Sequence, residues 1–190
     1  MGAVSDIADR KVLPALDRHA RHFILLCPFL VLATADGAGQ VDASPKGDPP
    51  GFVKVLDDRT LLIPDRPGNN RVDSFRNILT SPAVGLIFFV PGIDETLRVS
   101  GTARLSTDAD ALAGSAVQGR VPKTGLMIDV SAVMFHCAKA LRRGRLWDPA
   151  AQVARRDFPS LGQIVADQVA GFTADVADAR IEKSYRERMY

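Results

Sequence analysis

Short apolar segments separated by tight turn signals fill the middle of this chain, and they restrict its fold more than any other feature. Between residues 29 and 136 the candidate strands follow one another with few helices between them. Parallel strands need crossover connections of a dozen or more residues, and most connections here are shorter. The pattern therefore predicts six or seven antiparallel strands in a mainly β domain with flanking helices, and it argues against a Rossmann sheet.

The clearest strand signal lies between Glu95 and Ser106. Apolar residues or glycine alternate there with threonine, serine and arginine, and a period of two is typical of a strand with one buried face. The other predicted strands are Phe29–Ala35, Gln40–Ser44, Phe52–Leu56, Thr60–Pro64, Ala83–Val90 and Leu126–Phe135. Helices are predicted for Ser5–Leu26, which Pro14 interrupts, for Arg71–Leu79, for a short segment after Asp108 and for the residues after Ser160. We expect one domain over residues 1–150 and a helical extension, residues 151–190, packed on the same domain.

Composition excludes several classes of protein. With a net charge of +2 the chain is not a polycation, so we expect no nucleic-acid partner. No apolar run reaches the ~20 residues that span a bilayer, and the first residues lack the order of a signal peptide. Cys27 and Cys137 form no CxxC motif and are predicted to be buried free thiols. His19 and His22 have no third ligand nearby, so no metal site is predicted. These signs together predict a cytoplasmic protein without a membrane partner.

The first candidate site is the stretch from Asp42 to Phe52. Ser44 and Lys46 stand near the end of a predicted strand, and a loop rich in glycine and proline follows them. A lysine in that position presents an ammonium group and open backbone N–H groups to an anion. The alternative is an ordinary solvated lysine beside a glycine.

The second candidate site is the stretch from Ile63 to Arg71, which leaves a strand, crosses a loop of hydrogen-bond donors and enters a helix at Arg71. A helix N-terminus offers unpaired N–H groups and a partial positive charge, and an arginine adds a bidentate fork suited to phosphate. The alternative is that Asn70 only caps the helix while Arg66 and Arg71 are solvated. Thr96 and Arg98 are further candidates on the polar face of the long strand, where Arg98 could equally face solvent.

Taken together, these stretches resemble the pyridoxamine 5′-phosphate oxidase-like family of FMN-binding split β-barrel flavoproteins, and most closely an uncharacterised bacterial subgroup of FMN-dependent members. The likeness covers about residues 5–150. The segments that carry it are Cys27-Pro28-Phe29, Asp42-Ala43-Ser44-Pro45-Lys46-Gly47, Ile63–Arg71, Thr96–Gly101, His136–Ala140 and Leu146-Trp147-Asp148-Pro149.

The resemblance implies a six-stranded antiparallel split barrel that forms a homodimer with two FMN sites at its interface. The site residues that it implies are Ser44 and Lys46 beside the isoalloxazine ring and ribityl chain, Ile63, Pro64, Asp65 and Arg66 along the flavin mostly through backbone atoms, Asn69 in the same loop, Asn70 and Arg71 at the phosphate, and Thr96 or Arg98 from the second subunit. Trp147 either packs over the flavin or anchors the structure. Val72 stands where the family's oxidase has a second basic residue, and Arg66 is the candidate replacement.

The function that follows is that of an FMN-dependent oxidoreductase. We expect it to move electrons between a reduced nicotinamide or deazaflavin and an unknown small molecule. Vitamin B6 oxidation is a specific version, which needs basic residues for the substrate's own phosphate, and the Arg142–Arg145 cluster is the candidate. The alternatives are a non-catalytic flavin- or haem-binding carrier or sensor, with His136 as the axial ligand, and a structural protein whose site has decayed.

Overall fold

The structure, a computed structural model, describes residues 6–190, which fall into two compact units. The first unit comprises residues 6–65 and 72–147, and the second comprises residues 66–71 and 148–190. Ser5, the predicted start of the first helix, lies outside the described residues. The packing of residues 151–190 on the first domain stays a prediction.

Seven strands and seven α-helices form among the described residues. The strands are β1 Phe29–Ala35, β2 Val41–Gly47, β3 Lys54–Val55, β4 Thr60–Pro64, β5 Ala83–Phe89, β6 Thr96–Ser106 and β7 Gly125–His136. The helices are α1 Asp6–Arg10, α2 Arg18–Leu26, α3 Asp73–Thr80, α4 Ala109–Ala113, α5 Lys139–Gly144, α6 Leu161–Gln168 and α7 Ala174–Glu187. Within residues 6–190 no helix is both long and apolar enough to cross a membrane. The cytoplasmic location stays a prediction.

The seven strands form one antiparallel sheet in the order β2-β1-β5-β6-β7-β4-β3. The resemblance implied six strands, whereas the described residues form seven, and the predicted strand Phe52–Leu56 is reduced to Lys54–Val55. The mainly β fold with flanking helices is therefore confirmed. One face of the sheet supplies most of the hydrophobic core, which includes the fully buried Leu30, Leu32, Phe88, Leu97 and Ile128.

The N-terminal helical region is divided, as Pro14 predicted. Helix α1 ends at Arg10, and α2 begins at Arg18 after Asp17, whose Oδ1 accepts a hydrogen bond of 2.8 Å from the Ala20 N–H. Such an N-cap satisfies one of the four N–H groups that a helix start leaves unpaired. Helix α2 buries Phe23 and Ile24 in the core.

Gly101 lies at an irregularity in the pairing of β6 with β7. The pairing register shifts between Ser100 and Gly101, so β7 carries one extra residue, which is a β-bulge. A Cβ atom at position 101 would collide with the backbone carbonyl of Asp129. Glycine is therefore required at this bulge because no side chain fits between the strands.

The sheet face opposite the core is apolar over β1, β2 and β5. We call it the outer apolar face and define it by Phe29, Val31, Val41, Ile87 and Phe89. Strand pairing places these side chains on one side of the sheet. Phe29 is 40% exposed and Val41 is 77% exposed. The outer apolar face therefore differs from the same side of β6, where the outward-facing side chains are polar.

The second unit is built on α6 and α7. Ser160 caps α6, and its hydroxyl donates a 2.6 Å hydrogen bond to Asp178 of α7, whose other carboxylate oxygen accepts from the Gly162 N–H at 2.8 Å. A Cβ at Gly162 would collide with Asp178 and the Ala174 carbonyl. The two helices therefore cross closely because residue 162 has no side chain.

Candidate functional site

Strand β2 presents Ser44 and Lys46 on the face that it shares with the core residues of β1. Burial alternates along β2, with Asp42, Ser44 and Lys46 half-buried and their neighbours exposed. Ser44 lies opposite Leu32, and Lys46 lies opposite Leu30. No acidic side chain among the described residues pairs with Lys46. An ammonium group that is half-buried without an anionic partner is suited to an anionic ligand.

Helix α3 is fixed to this part of the sheet by two side-chain hydrogen bonds. The Ser74 hydroxyl donates to Oδ2 of Asp42 at 3.1 Å, and the Asn77 amide donates to the Thr34 hydroxyl at 3.0 Å. Asp42 and Thr34 are themselves opposite each other on β2 and β1. The start of α3 therefore lies beside the strand that carries Ser44 and Lys46. Sequence reasoning missed Ser74, although its position in the first turn of a predicted helix was visible.

The segment 66–71 connects β4 to α3 in sequence and groups with the second unit. The Arg71 N–H donates to Oδ1 of Asn69 at 3.1 Å, and Asn70 has a left-handed backbone with φ of 59°. The asparagine side chain thus holds a local turn of the type that asparagine favours. Asn69, Asn70 and Arg71 are all exposed.

The predicted start of the following helix is wrong by two residues. Helix α3 begins at Asp73, and its N-cap residue is Val72, which has φ of 53° and no side-chain cap. Asn70 is therefore not the cap, and Arg71 precedes the helix. A β-branched residue in the left-handed region is rare and costs about 1–3 kcal/mol. Asp73 already places a negative charge in the first helical turn.

Ile63, Pro64 and Asp65 form the end of β4 and the residue after it. Ile63 is 2% exposed within the core, and Pro64 is buried opposite Gly125. The Asp65 N–H donates to the Thr124 carbonyl at 3.0 Å. The side chains of Ile63 and Pro64 are thus occupied in packing, so contact with a ligand through the backbone stays the prediction for this segment.

Thr96 and Arg98 do not meet Ser44 and Lys46 within one chain. Strand β6 is three strand positions from β2, a separation of about 14 Å at about 4.8 Å per strand. The pairing also places Thr96 and Arg98 on the opposite face of the sheet, because Leu97 shares the core face with Leu30 and Phe88. Their predicted part in a flavin site therefore requires a second copy of the chain.

Trp147 is anchored by its indole group. Its Nε1–H donates to the Ile93 carbonyl at 2.9 Å, and Arg142 nearby in sequence pairs with Asp94 at 2.9 Å. Both interactions join the segment around α5 to the turn between β5 and β6. The anchoring alternative for Trp147 is thus supported, whereas its contact with a flavin stays a prediction. Arg142 has an anionic partner within the protein, which weakens the predicted arginine cluster as a phosphate site.

The Cys27 thiol is a buried structural group. It lies 2.9 Å from the Phe29 carbonyl oxygen and 3.2 Å from that of Phe89, and burial raises the pKa of the thiol. The prediction that both thiols are buried is wrong for Cys137, which is exposed. It follows His136, the exposed last residue of the long strand β7.

Comparison with known proteins agrees with this architecture. The family model described as pyridoxamine 5′-phosphate oxidase matches residues 16–137. The chain belongs to this family. The comparison with curated proteins gives no match.

Two solved structures share the fold. HupZ of Group A Streptococcus is 22% identical, with a TM-score of 0.51, and the match covers 63% of this chain and 93% of that one. A candidate pyridoxamine 5′-phosphate oxidase from Lactobacillus delbrueckii is also 22% identical, with a TM-score of 0.50 and coverage of 64% and 95%. Trp147 and the second unit's helices lie beyond the residues that the family model matches.

Proposed function

We propose that this protein is an FMN-dependent oxidoreductase that acts on a small molecule. The observation that carries the proposal is the half-buried face of β2, where Ser44 stands beside Lys46 and no described acidic group pairs with that lysine. The donor set of this family member fits FMN, because the cofactor carries an anionic phosphate and a ring that accepts negative charge on reduction.

The proposed roles follow the chemistry of each side chain. Lys46 and Ser44 would contact the ring and ribityl chain of bound FMN, and the ammonium of Lys46 would favour electron uptake because it would stabilise negative charge on the ring. Asn70 and Arg71 would bind the phosphate, with Arg66 in place of the basic residue that Val72 replaces. Asn69 supports them by accepting the Arg71 N–H. Hydrogen bonds to charged groups contribute about 1.5–3 kcal/mol each.

The bound cofactor would supply electron transfer between a reduced nicotinamide or deazaflavin and the substrate. The protein then needs to bind and orient the cofactor and the substrate and to exclude water. No acid–base pair of side chains is required for these tasks. Vitamin B6 oxidation is the less favoured version of this reaction, because Arg142 already pairs with Asp94.

We further propose that the active form is a homodimer. The outer apolar face supports this, because Phe29 and Val41 are large exposed hydrophobic groups on one side of the sheet. Thr96 and Arg98 lie on the same side as that face. In a second copy, Arg98, which is exposed, could reach a flavin bound by another chain, whereas Thr96 is only 3% exposed in its own chain. Light scattering of the purified protein would test this, and a monomer at micromolar concentration would count against it.

The test of the proposed function is the visible absorption spectrum of the purified protein before and after addition of FMN. We expect the two visible bands of oxidised flavin, and their bleaching by a reduced nicotinamide or deazaflavin. A colourless protein that takes up no added FMN would refute the proposal. A Soret band after addition of haem, lost in His136→Ala, would instead favour the haem-binding alternative.

A further inference from the structure

The guanidinium group of Arg66 lies over the ring of Tyr190, 5.7 Å from the ring centroid. Both residues belong to the second unit, which joins the segment 66–71 to residues 148–190. A cation this close to an aromatic face is attracted by the ring quadrupole. Tyr190 therefore contacts the segment to which we assign the flavin phosphate.

Arg66 is the most buried residue of this segment and is the one that contacts Tyr190. It is half-buried, whereas residues 67–71 are all exposed, and Tyr190 is half-buried after a run of exposed residues. The segment 66–71 has neither helix nor strand, and Asn70 within it has a left-handed backbone with φ of 59°. Asparagine tolerates such a backbone, and because no helix or strand fixes the segment, its conformation depends on turn and side-chain contacts.

We propose that Tyr190 is a positioning residue that holds Arg66 and thereby presents Asn70 and Arg71 to the flavin phosphate. This inference rests on the proposed function. Without the ring, the segment spends less time in the binding-competent conformation, and the apparent dissociation constant rises as that fraction falls. We expect Tyr190→Ala to raise the dissociation constant for FMN about 3- to 10-fold.

The experiment compares Tyr190→Ala and Tyr190→Phe with a matched control. In the same unit Arg180 lies over the ring of Phe172, also at 5.7 Å, so Phe172→Ala removes an equivalent contact that does not involve the segment 66–71. Two quantities are measured on the full chain: hydrogen exchange of the segment 66–71 without FMN, and FMN affinity by quenching of flavin fluorescence. Exchange in α6 and α7 reports whether the second unit is folded.

We expect Tyr190→Ala to raise exchange in the segment and to weaken FMN binding, while Tyr190→Phe and Phe172→Ala resemble the parent protein. Unchanged exchange in Tyr190→Ala would overturn the inference whatever the FMN result. Equal losses in Tyr190→Ala and Phe172→Ala would also overturn it, because they would show a general effect of the second unit. If the parent binds FMN and Tyr190→Ala binds it with equal affinity, this inference alone is refuted. If the parent binds no FMN, the proposed function is refuted and this role with it.

Discussion

Removal of the Ser74 hydroxyl should loosen helix α3 from strand β2. Ser74 is 6% exposed, and its Oγ lies 3.1 Å from Oδ2 of Asp42. A hydrogen bond to a charged group contributes about 1.5–3 kcal/mol, and we take the lower end because Asp42 is only half-buried and water can replace the serine. Ser74→Ala should therefore lower the free energy of unfolding by about 1.5 kcal/mol.

For a chain of this length, a loss of that size lowers the melting temperature by about 3–6 °C. The assay is thermal and urea unfolding of the parent, Ser74→Ala, Asp42→Ala and the double variant. The two changes should be coupled by about 1 kcal/mol, because either one alone breaks the same hydrogen bond.

Thr80→Ala is the matched control on the same helix. The Thr80 hydroxyl donates to the Asn77 carbonyl within α3 and is exposed, so its loss should cost less than about 0.5 kcal/mol and show no coupling to Asp42→Ala. Strictly additive effects of Ser74→Ala and Asp42→Ala would refute the reasoning, because they would show that the two side chains do not stabilise each other.

Four further predictions concern other parts of the protein. Arg71→Ala should weaken FMN binding about 10- to 150-fold and more than Arg98→Ala does, and equal losses in an FMN titration would contradict the phosphate assignment. Cys137 should react with a thiol reagent in the folded protein and Cys27 only after unfolding. Folding raises the pKa of the Cys27 thiol, so the stability linked to this thiol should be complete below its ordinary pKa and should decrease as the pH rises above that value. A pH dependence of urea unfolding that is unchanged in Cys27→Ala would contradict this. Gly101→Ala should destabilise the protein by about 3 kcal/mol, since its Cβ would meet the Asp129 carbonyl, whereas Gly114→Ala, with open space around it, should change the unfolding free energy by less than about 0.5 kcal/mol.

The positions of strands β1 and β4 were predictable because apolar runs end at turn signals, Asp36-Gly37 after β1 and Asp57-Asp58-Arg59 before β4. Strand β1 has the predicted bounds, Phe29–Ala35, and β4 has the predicted bounds, Thr60–Pro64. Strand β2 was predicted to end at Ser44 but continues through Pro45 to Gly47. Proline is tolerated there because β2 is the edge of the sheet, where one side of the strand needs no N–H donor.

The region around Arg71 could not be predicted from residue type. Asn70 and Val72 both have left-handed backbones, and a valine in that conformation contradicts its local preference. Likewise, the segment 66–71 groups with residues 148–190 through contacts between distant parts of the chain, which residue type does not reveal. The sequence pattern correctly placed Thr96 and Arg98 on the face opposite Leu97 and Val99, but the strand order was needed to show how far β6 lies from β2.

The proposed function depends on binding of FMN with recognition of its phosphate. The most direct test is a pair of equilibrium titrations, one with FMN and one with riboflavin, which has the same ring and ribityl chain without the phosphate. We expect FMN to bind at least about tenfold more tightly, because at least one charge-assisted hydrogen bond is made only to the phosphate. Equal affinity for the two flavins, or binding of neither, would contradict it.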